Sequence, residues 1–197
     1  MPIRGVISLP GDKSISHRAL MLASLTDGNC VIHNISTGED VETTRQCLVQ
    51  CGMESEKDGT TVRLRAGGFK PIEMPLYCGN SGTTVRLMAG LLAGKGLKAK
   101  FTGDKSLSER PMNRIIDPLI KMGINIESEN GYLPFFLTPG NVNGIEYTPQ
   151  VASAQVKSCI ILAGLGAFGE TKVQEKIKTR DHTEIMLKEL GAEIKLA

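Results

Sequence analysis

Apolar positions cluster at helical spacing three times along this chain, and each cluster is followed by the same succession of segments. The stretches ALMLASL, LMAGLLAG and CIILAGLGA read as helices buried on most of their faces. A short strand-like run follows each one: CVIHNI, LKAKFTG and TKVQEKI. A second amphipathic stretch then ends in a glycine and another strand-like run: CLVQCGMESE, PLIKMGINIES and MLKELGAEIKL. Glycines near the ends of the first helices are Gly28, Gly96 and Gly169, separated by 68 and 73 residues. Those closing the second helices are Gly52, Gly123 and Gly191, separated by 71 and 68 residues. Two independent sets of markers therefore give a period of about seventy residues, longer than the common solenoid repeats. Such a period fits a compact helix–strand–helix–strand unit with its own small sheet, and hence an α/β fold built from three units.

Each unit opens on a polar segment with one recurring feature. A small residue is followed four positions later by a base: Ser14 and Arg18, Gly82 and Arg86, Ser153 and Lys157. Four residues make about one helical turn, which puts base and small residue on one side of each helix start. A helix N-terminus carries unpaired N–H groups and a partial positive charge, so an added cation makes it an anion site. Three such openings in one fold predict a ligand with several acidic groups.

Composition narrows the choice of ligand. The 197-residue chain carries a net charge of only +2, has no Trp and is 4% aromatic. A basic face with stacking platforms for nucleic acid is therefore excluded. The longest apolar run, Cys159 to Phe168, is interrupted by glycines and is too short to span a bilayer. The N-terminus lacks a signal-peptide core, which predicts a cytoplasmic protein. The five cysteines read as reduced, buried thiols. Cys47 and Cys51 stand one turn apart, but no second pair or nearby His completes a ligand set, so no metal is expected.

Three motifs carry candidate chemistry. Leu9-Pro10-Gly11-Asp12-Lys13-Ser14 fails as a nucleotide-triphosphate loop, because Asp12 separates Gly11 from Lys13 and the earlier Gly is missing. It reads instead as a turn with Asp12 or Ser14 capping a helix, and with Lys13, His17 and Arg18 around the cap favouring a binding site. In Gly79-Asn80-Ser81-Gly82-Thr83-Thr84, two glycines allow close backbone approach and three hydroxyls can donate. Arg86 reads equally as a ligand or as a brace. Ser108-Glu109-Arg110-Pro111 suggests a helix entrance with Pro111 at its first position, where the Arg110 fork can hold a phosphate or carboxylate. Thr179-Arg180-Asp181 stands at the comparable point of the third unit.

LPGDKSISHRAL, GNSGTTVRLMAGLLAG, SERP and ASAQVKS, in this order, closely resemble the 5-enolpyruvylshikimate-3-phosphate synthase (3-phosphoshikimate 1-carboxyvinyltransferase) family, over nearly the whole chain. The resemblance implies a half-molecule of three βαβαββ units about a pseudo-threefold axis, the third truncated. Residues 1–12 would form a crossover strand belonging to the other half. Residues 13–197 would form the phosphoshikimate-binding domain, with repeats at about 13–72, 73–148 and 149–197. The implied reaction moves the carboxyvinyl group of phosphoenolpyruvate to the 5-hydroxyl of shikimate 3-phosphate and releases phosphate, with neither metal nor organic cofactor. The related UDP-N-acetylglucosamine carboxyvinyltransferases are the nearest rivals. They have Lys-Asn where this chain has Lys13-Ser14, and they lack DKSISHR. A stand-alone anion-binding module of the same fold is the non-enzymatic alternative.

Residue by residue, the resemblance implies catalytic roles for Lys13 and Arg110. Lys13, Ser14, Arg18, Ser153, Gln155, Thr179 and Arg180 would hold shikimate 3-phosphate. Lys13, Gly82, Arg110 and Gln155 would hold phosphoenolpyruvate. Ala154 departs from members with a second Ser there, and Thr179 stands where many have Ser. The largest departure is length. Family members are roughly twice as long, and their second half carries the acid/base carboxylates and further cationic ligands. The resemblance therefore implies that the chain, ending within a strand-like run at Glu193–Ala197, is a substrate-binding portion that needs its C-terminal half for turnover.

Overall fold

The computed structural model describes residues 4–7 and 9–195. The first unit comprises α1 (Lys13–Ala23), β1 (Asn29–Ile32), α2 (Glu39–Gln50), β2 (Glu54–Asp58) and β3 (Thr61–Arg65). The second comprises β4 (Leu76–Tyr77), α3 (Gly82–Gly94), β5 (Ala99–Thr102), the short α4 (Lys105–Ser108), α5 (Asn113–Lys121), β6 (Asn125–Ser128) and β7 (Phe135–Thr138). The third comprises β8 (Glu146–Tyr147), α6 (Ala154–Gly164), β9 (Lys172–Val173) and α7 (His182–Glu189). The second unit has the full βαβαββ order, and its sheet runs β4-β5-β7-β6 with β4 and β5 parallel. The first sheet, β1-β3-β2, reproduces the last three positions of that order, and the third retains only the parallel pair β8-β9.

The three helices read from the apolar clusters form the middle of the molecule. In α3 nearly every residue from Thr84 to Ala93 is buried, which explains why its sequence lacks a polar face. Its closest neighbour is α6. A Cβ at Gly90 would run into the Cys159 carbonyl, so only glycine lets the two backbones approach this far. Side chains from the sheets close the core, with Phe101 of β5 and Phe135 of β7 stacked at 4.8 Å between ring centroids. On β3, Val62 and Leu64 point inward while Thr61, Arg63 and Arg65 point outward, the alternation of a half-buried strand.

The second-helix glycines have a common geometry. Gly52, Gly123 and Gly191 have φ of 101°, 95° and 87°. Each donates its N–H back to a carbonyl of the last helical turn, and the next residue does the same: Met53 to Leu48, Ile124 to Leu119, Ala192 to Leu187. This is the left-handed helix stop that favours glycine, repeated once per unit.

Of the glycines near the first-helix ends, Gly96 lies two residues past α3, and Gly28 and Gly169 lie five past α1 and α6. Two expectations are corrected. Pro111 does not open a helix: α4 ends at Ser108, and α5 begins at Asn113 after Met112. Asp104 captures the Leu107 N–H and closes α4 as a separate turn, which leaves Arg110 in the link between two helices. The described residues 193–195 form no strand, and 196–197 lie outside the described residues. A strand needs a hydrogen-bonding neighbour, and this segment has none among the described residues. Residues 4–7 and 9–11 join no sheet among the described residues, and Val6, Ile7 and Leu9 are exposed.

Candidate functional site

The N-termini of α1 and α3 face a polar cleft of about 530 Å³ lined by Lys13, Asp40, Asn80, Gly82, Thr83, Arg86, Arg110 and Gln155. The four residues expected to hold phosphoenolpyruvate (Lys13, Gly82, Arg110 and Gln155) are all among them. Local sequence accounts for the arrangement. Asp12 caps α1 by accepting from the Ile15 N–H, and Lys13 follows as the first helical residue. Ser81 caps α3 by accepting from the Thr84 N–H, and Gly82 follows. A Cβ at Gly82 would lie 2.5 Å from Arg86 Nη1 and 3.6 Å from Arg110 Nη1, so glycine keeps space between two guanidinium groups.

The cleft carries an excess of positive charge. Lys13 is 56% exposed and bonds Asp40 Oδ2 at 2.9 Å. Arg86 donates to the Gly82 carbonyl and to Gln155 Oε1 at 3.0 Å, while Gln155 Nε2 donates to Thr83 Oγ1. Arg110 donates to the Asn80 carbonyl and to Ser106 Oγ. Neither arginine has an acidic partner among the described residues. Burial lowers the Arg86 pKa, and the nearby Arg110 and Arg114 lower it further. Two cations, a helix N-terminus and a third cation with a single carboxylate form a site suited to a multiply charged anion.

The remaining expected residues lie beside α6 and α7. Arg180 Nη1 donates to Ser14 Oγ at 3.4 Å, which brings the start of α1 and the entrance of α7 together. Ser153 caps α6. Thr179 donates to Glu175. Arg18 is only 4% exposed, and three of its N–H groups donate to the Ser14 carbonyl, Thr183 Oγ1 and Ser158 Oγ.

The recurring base has a different geometry in each unit, contrary to the sequence pattern. Arg18, Arg86 and Lys157 stand six, five and four residues past the caps Asp12, Ser81 and Ser153. Lys157, 5% exposed, is held between Glu175 Oε2 at 2.7 Å and Glu184 Oε1 at 2.6 Å. Burial alone would lower its pKa, but the two carboxylates outweigh that and raise it. Lys157 is thus neutralised inside the chain and offers no free charge to a ligand. His17, read as part of the binding site, is fully buried and bonds Thr44. Its pKa falls to about 4, chiefly through desolvation.

Sequence reasoning missed Asp40, Glu175 and Glu184. The acidic first turn of α2 (Glu39, Asp40, Glu42) was a legible helix-start signal. Its pairing with Lys13 across 27 residues had no local signature. A second cleft, of similar volume, lies near the last residues of α3 and the turn at 140–143. Its lining includes one cation, Lys95, and it faces a helix end of the wrong polarity for an anion.

The chain matches the model of the family described as EPSP synthase (3-phosphoshikimate 1-carboxyvinyltransferase) over residues 1–197. It is 49% identical to a 3-phosphoshikimate 1-carboxyvinyltransferase of Synechococcus sp., an alignment covering 98% of this chain and 45% of that one. It is 47% identical to the protein of the same name from Ruthia magnifica, with the same two coverages. The solved EPSP synthase of Acinetobacter baumannii superposes with a TM-score of 0.93 at 42% identity, covering 98% of this chain and 45% of that one. The chain spans about half the length of the curated relatives it matches.

Proposed function

Because the chain belongs to the EPSP synthase family, we propose that it forms the shikimate 3-phosphate half of an enzyme that transfers the carboxyvinyl group of phosphoenolpyruvate to the 5-hydroxyl of that substrate. The observation that carries the reading is the convergence of Lys13, Arg86, Arg110 and the α3 N-terminus on one cleft with a single carboxylate. In this reading Lys13, Gly82, Arg110 and Gln155 hold phosphoenolpyruvate. Ser14, Arg18, Ser153, Gln155, Thr179 and Arg180 hold shikimate 3-phosphate, with Lys13 between the two. The Ser14–Arg180 hydrogen bond supports a phosphate position there, since a hydroxyl and a guanidinium already converge.

The chemistry follows from charge. The 5-hydroxyl oxygen gives up its proton and bonds to C2 of phosphoenolpyruvate while C3 gains a proton. The tetrahedral intermediate then loses a proton from C3 as the C2–O bond to phosphate breaks, which restores the double bond and releases orthophosphate. Lys13 and Arg110 stabilise the negative charge on the attacking oxygen and on the carboxylate–phosphate pair. Among the described residues the cleft offers one carboxylate, Asp40, and it is engaged by Lys13. Turnover therefore requires a second domain to supply acid and base groups and to exclude water. No described helix is long and apolar enough to cross a membrane, and two highly charged small substrates fit a reaction in the cytoplasm.

Titration of shikimate 3-phosphate, then phosphoenolpyruvate, into wild-type and Arg110→Ala protein tests the reading. Arg110→Ala should weaken phosphoenolpyruvate roughly ten- to a hundredfold and leave shikimate 3-phosphate nearly unchanged. Equal phosphoenolpyruvate affinity in the two proteins would overturn it.

A further inference from the structure

A chain of buried hydroxyls runs from His17 to the cap of α3. His17 Nδ1 lies 2.7 Å from Thr44 Oγ1, Thr44 Oγ1 lies 2.7 Å from Thr84 Oγ1, and Thr84 Oγ1 donates to Ser81 Oγ at 2.7 Å. All four residues are buried, and they come from α1, α2 and the start of α3. At the far end Ser81 accepts the Thr84 N–H and fixes the helix start on which Gly82 and Thr83 face the cleft.

We propose that His17, which does not line the cleft, is a positioning residue for the anion-accepting end of α3, carrying its proton on Nδ1 so that each hydroxyl of the chain donates toward Ser81. The inference rests on the reading of that helix end as part of the phosphoenolpyruvate site.

The direction of the chain follows from the other ring nitrogen. His17 Nε2 is buried with no partner among the described residues. A stranded N–H there would forfeit a full donor bond, whereas a bare lone pair is the less costly orphan. With the proton on Nδ1, Thr44 accepts from His17 and donates to Thr84, and Thr84 donates to Ser81. The Thr44 and Thr84 hydroxyl protons then each have one acceptor. The alternative acceptor for Thr84, the Asp40 carbonyl, is farther away at 3.3 Å. Ser81 Oγ receives two bonds from Thr84, one from its amide and one from its hydroxyl, and so is held in one rotamer. The same chain runs beside the Asp40 backbone, whose carboxylate holds Lys13. One buried imidazole thus orders two parts of the cleft that it does not touch. Its low pKa, about 4, keeps it neutral and the chain unidirectional through the neutral pH range.

Two readouts test this. Long-range proton–nitrogen correlation of the His17 ring in the wild-type chain should show a protonated Nδ1 and a bare Nε2. The opposite tautomer would overturn the direction of the chain whatever the ligand does. Phosphoenolpyruvate titration in the presence of shikimate 3-phosphate, and exchange of the backbone amide at position 84, are then compared in wild type, His17→Phe, His17→Asn, Thr44→Val and Thr84→Val. His17→Phe, Thr44→Val and Thr84→Val should each weaken phosphoenolpyruvate about five- to tenfold and speed exchange of the backbone amide at position 84. His17→Asn, whose amide nitrogen can replace Nδ1, should restore most of the loss. Should His17→Phe fail to fold, the near-isosteric Thr84→Val still decides. Unchanged affinity and exchange in Thr84→Val, or no rescue by His17→Asn, would overturn the inference. Faster exchange at position 84 in a protein whose wild type does not bind phosphoenolpyruvate would instead retain the positioning and remove the ligand reading.

Discussion

Arg86 and Lys157 occupy comparable places on neighbouring helices, five and four residues past the caps Ser81 and Ser153. Arg86 faces an open cleft, shares it with Lys13 and Arg110, and meets no carboxylate among the described residues. Lys157 is enclosed and clamped by Glu175 and Glu184. One sequence pattern thus yields an anion-accepting face in the second unit and an internal brace in the third. The deciding residues are acids contributed from elsewhere in the chain. Glu175 and Glu184 reach Lys157 from 18 and 27 residues away, whereas the link carrying Arg110 adds a second cation beside Arg86. A base after a helix start says nothing about function until its counter-charges are counted.

The largest expected effect breaks the brace. Lys157→Met leaves the buried Glu184 and the partly buried Glu175 without their cation and should cost ~3–5 kcal/mol of stability. In a chain of this size that lowers the melting temperature by roughly 10 °C. Arg110→Ala should leave the melting temperature within a few degrees, because Arg110 is exposed. Melting curves that moved equally in the two variants would erase the distinction.

A pH titration sharpens the same contrast between buried and open groups. His17 has a folded pKa of about 4, below its ordinary 6.5. Between these values the unfolded chain binds more protons, so stability should fall as pH drops from 6.5 toward 4. The loss should be on the order of 3 kcal/mol. It should vanish in His17→Asn, and urea midpoints across that window measure it. Glu175 adds in the same direction at lower pH: its pKa is depressed, so its contribution is present above the ordinary carboxylate value and lost below it.

Arg110→Ala should weaken phosphoenolpyruvate by ~1.5–3 kcal/mol, the range for a hydrogen bond to a charged group. The smallest effect is that of salt. Raising ionic strength should reduce phosphoenolpyruvate affinity in the open cleft and leave the stability contributed by the enclosed Lys157 cluster almost unchanged.

Much of the fold was legible because its signals are local. The apolar runs that became α1, α3 and α6 lack polar faces, and Gly52, Gly123 and Gly191 are helix stops that any unit of this kind needs. Strands β3 and β7 were not read from periodicity, since four or five residues between turns give too short a window. Within the cleft, Lys13, Gly82 and Arg110 sit at turns whose glycines, caps and bases are visible in sequence. Asp40, Thr44, Glu175 and Glu184 were invisible because their roles depend on contacts between separate segments of the chain, which leave no mark on neighbouring residues. Of the hydroxyls read as ligand donors, Thr83 faces the cleft whereas Ser81 and Thr84 are buried. Lys157 was misjudged for the same reason: its helix start was legible and its counter-charges were not.

The central claim is that the α3 end of the molecule accepts an anion while the α6 cluster stays closed. Amide and side-chain chemical-shift mapping during a phosphoenolpyruvate titration with shikimate 3-phosphate present tests it most directly. The account predicts saturable shifts at the amides of Gly82 and Thr83, at the Gln155 side-chain amide and at the Arg110 Nε–H, with the Lys157 ammonium unmoved. Saturable shifts at the Lys157 ammonium with Gly82 and Arg110 silent would contradict it.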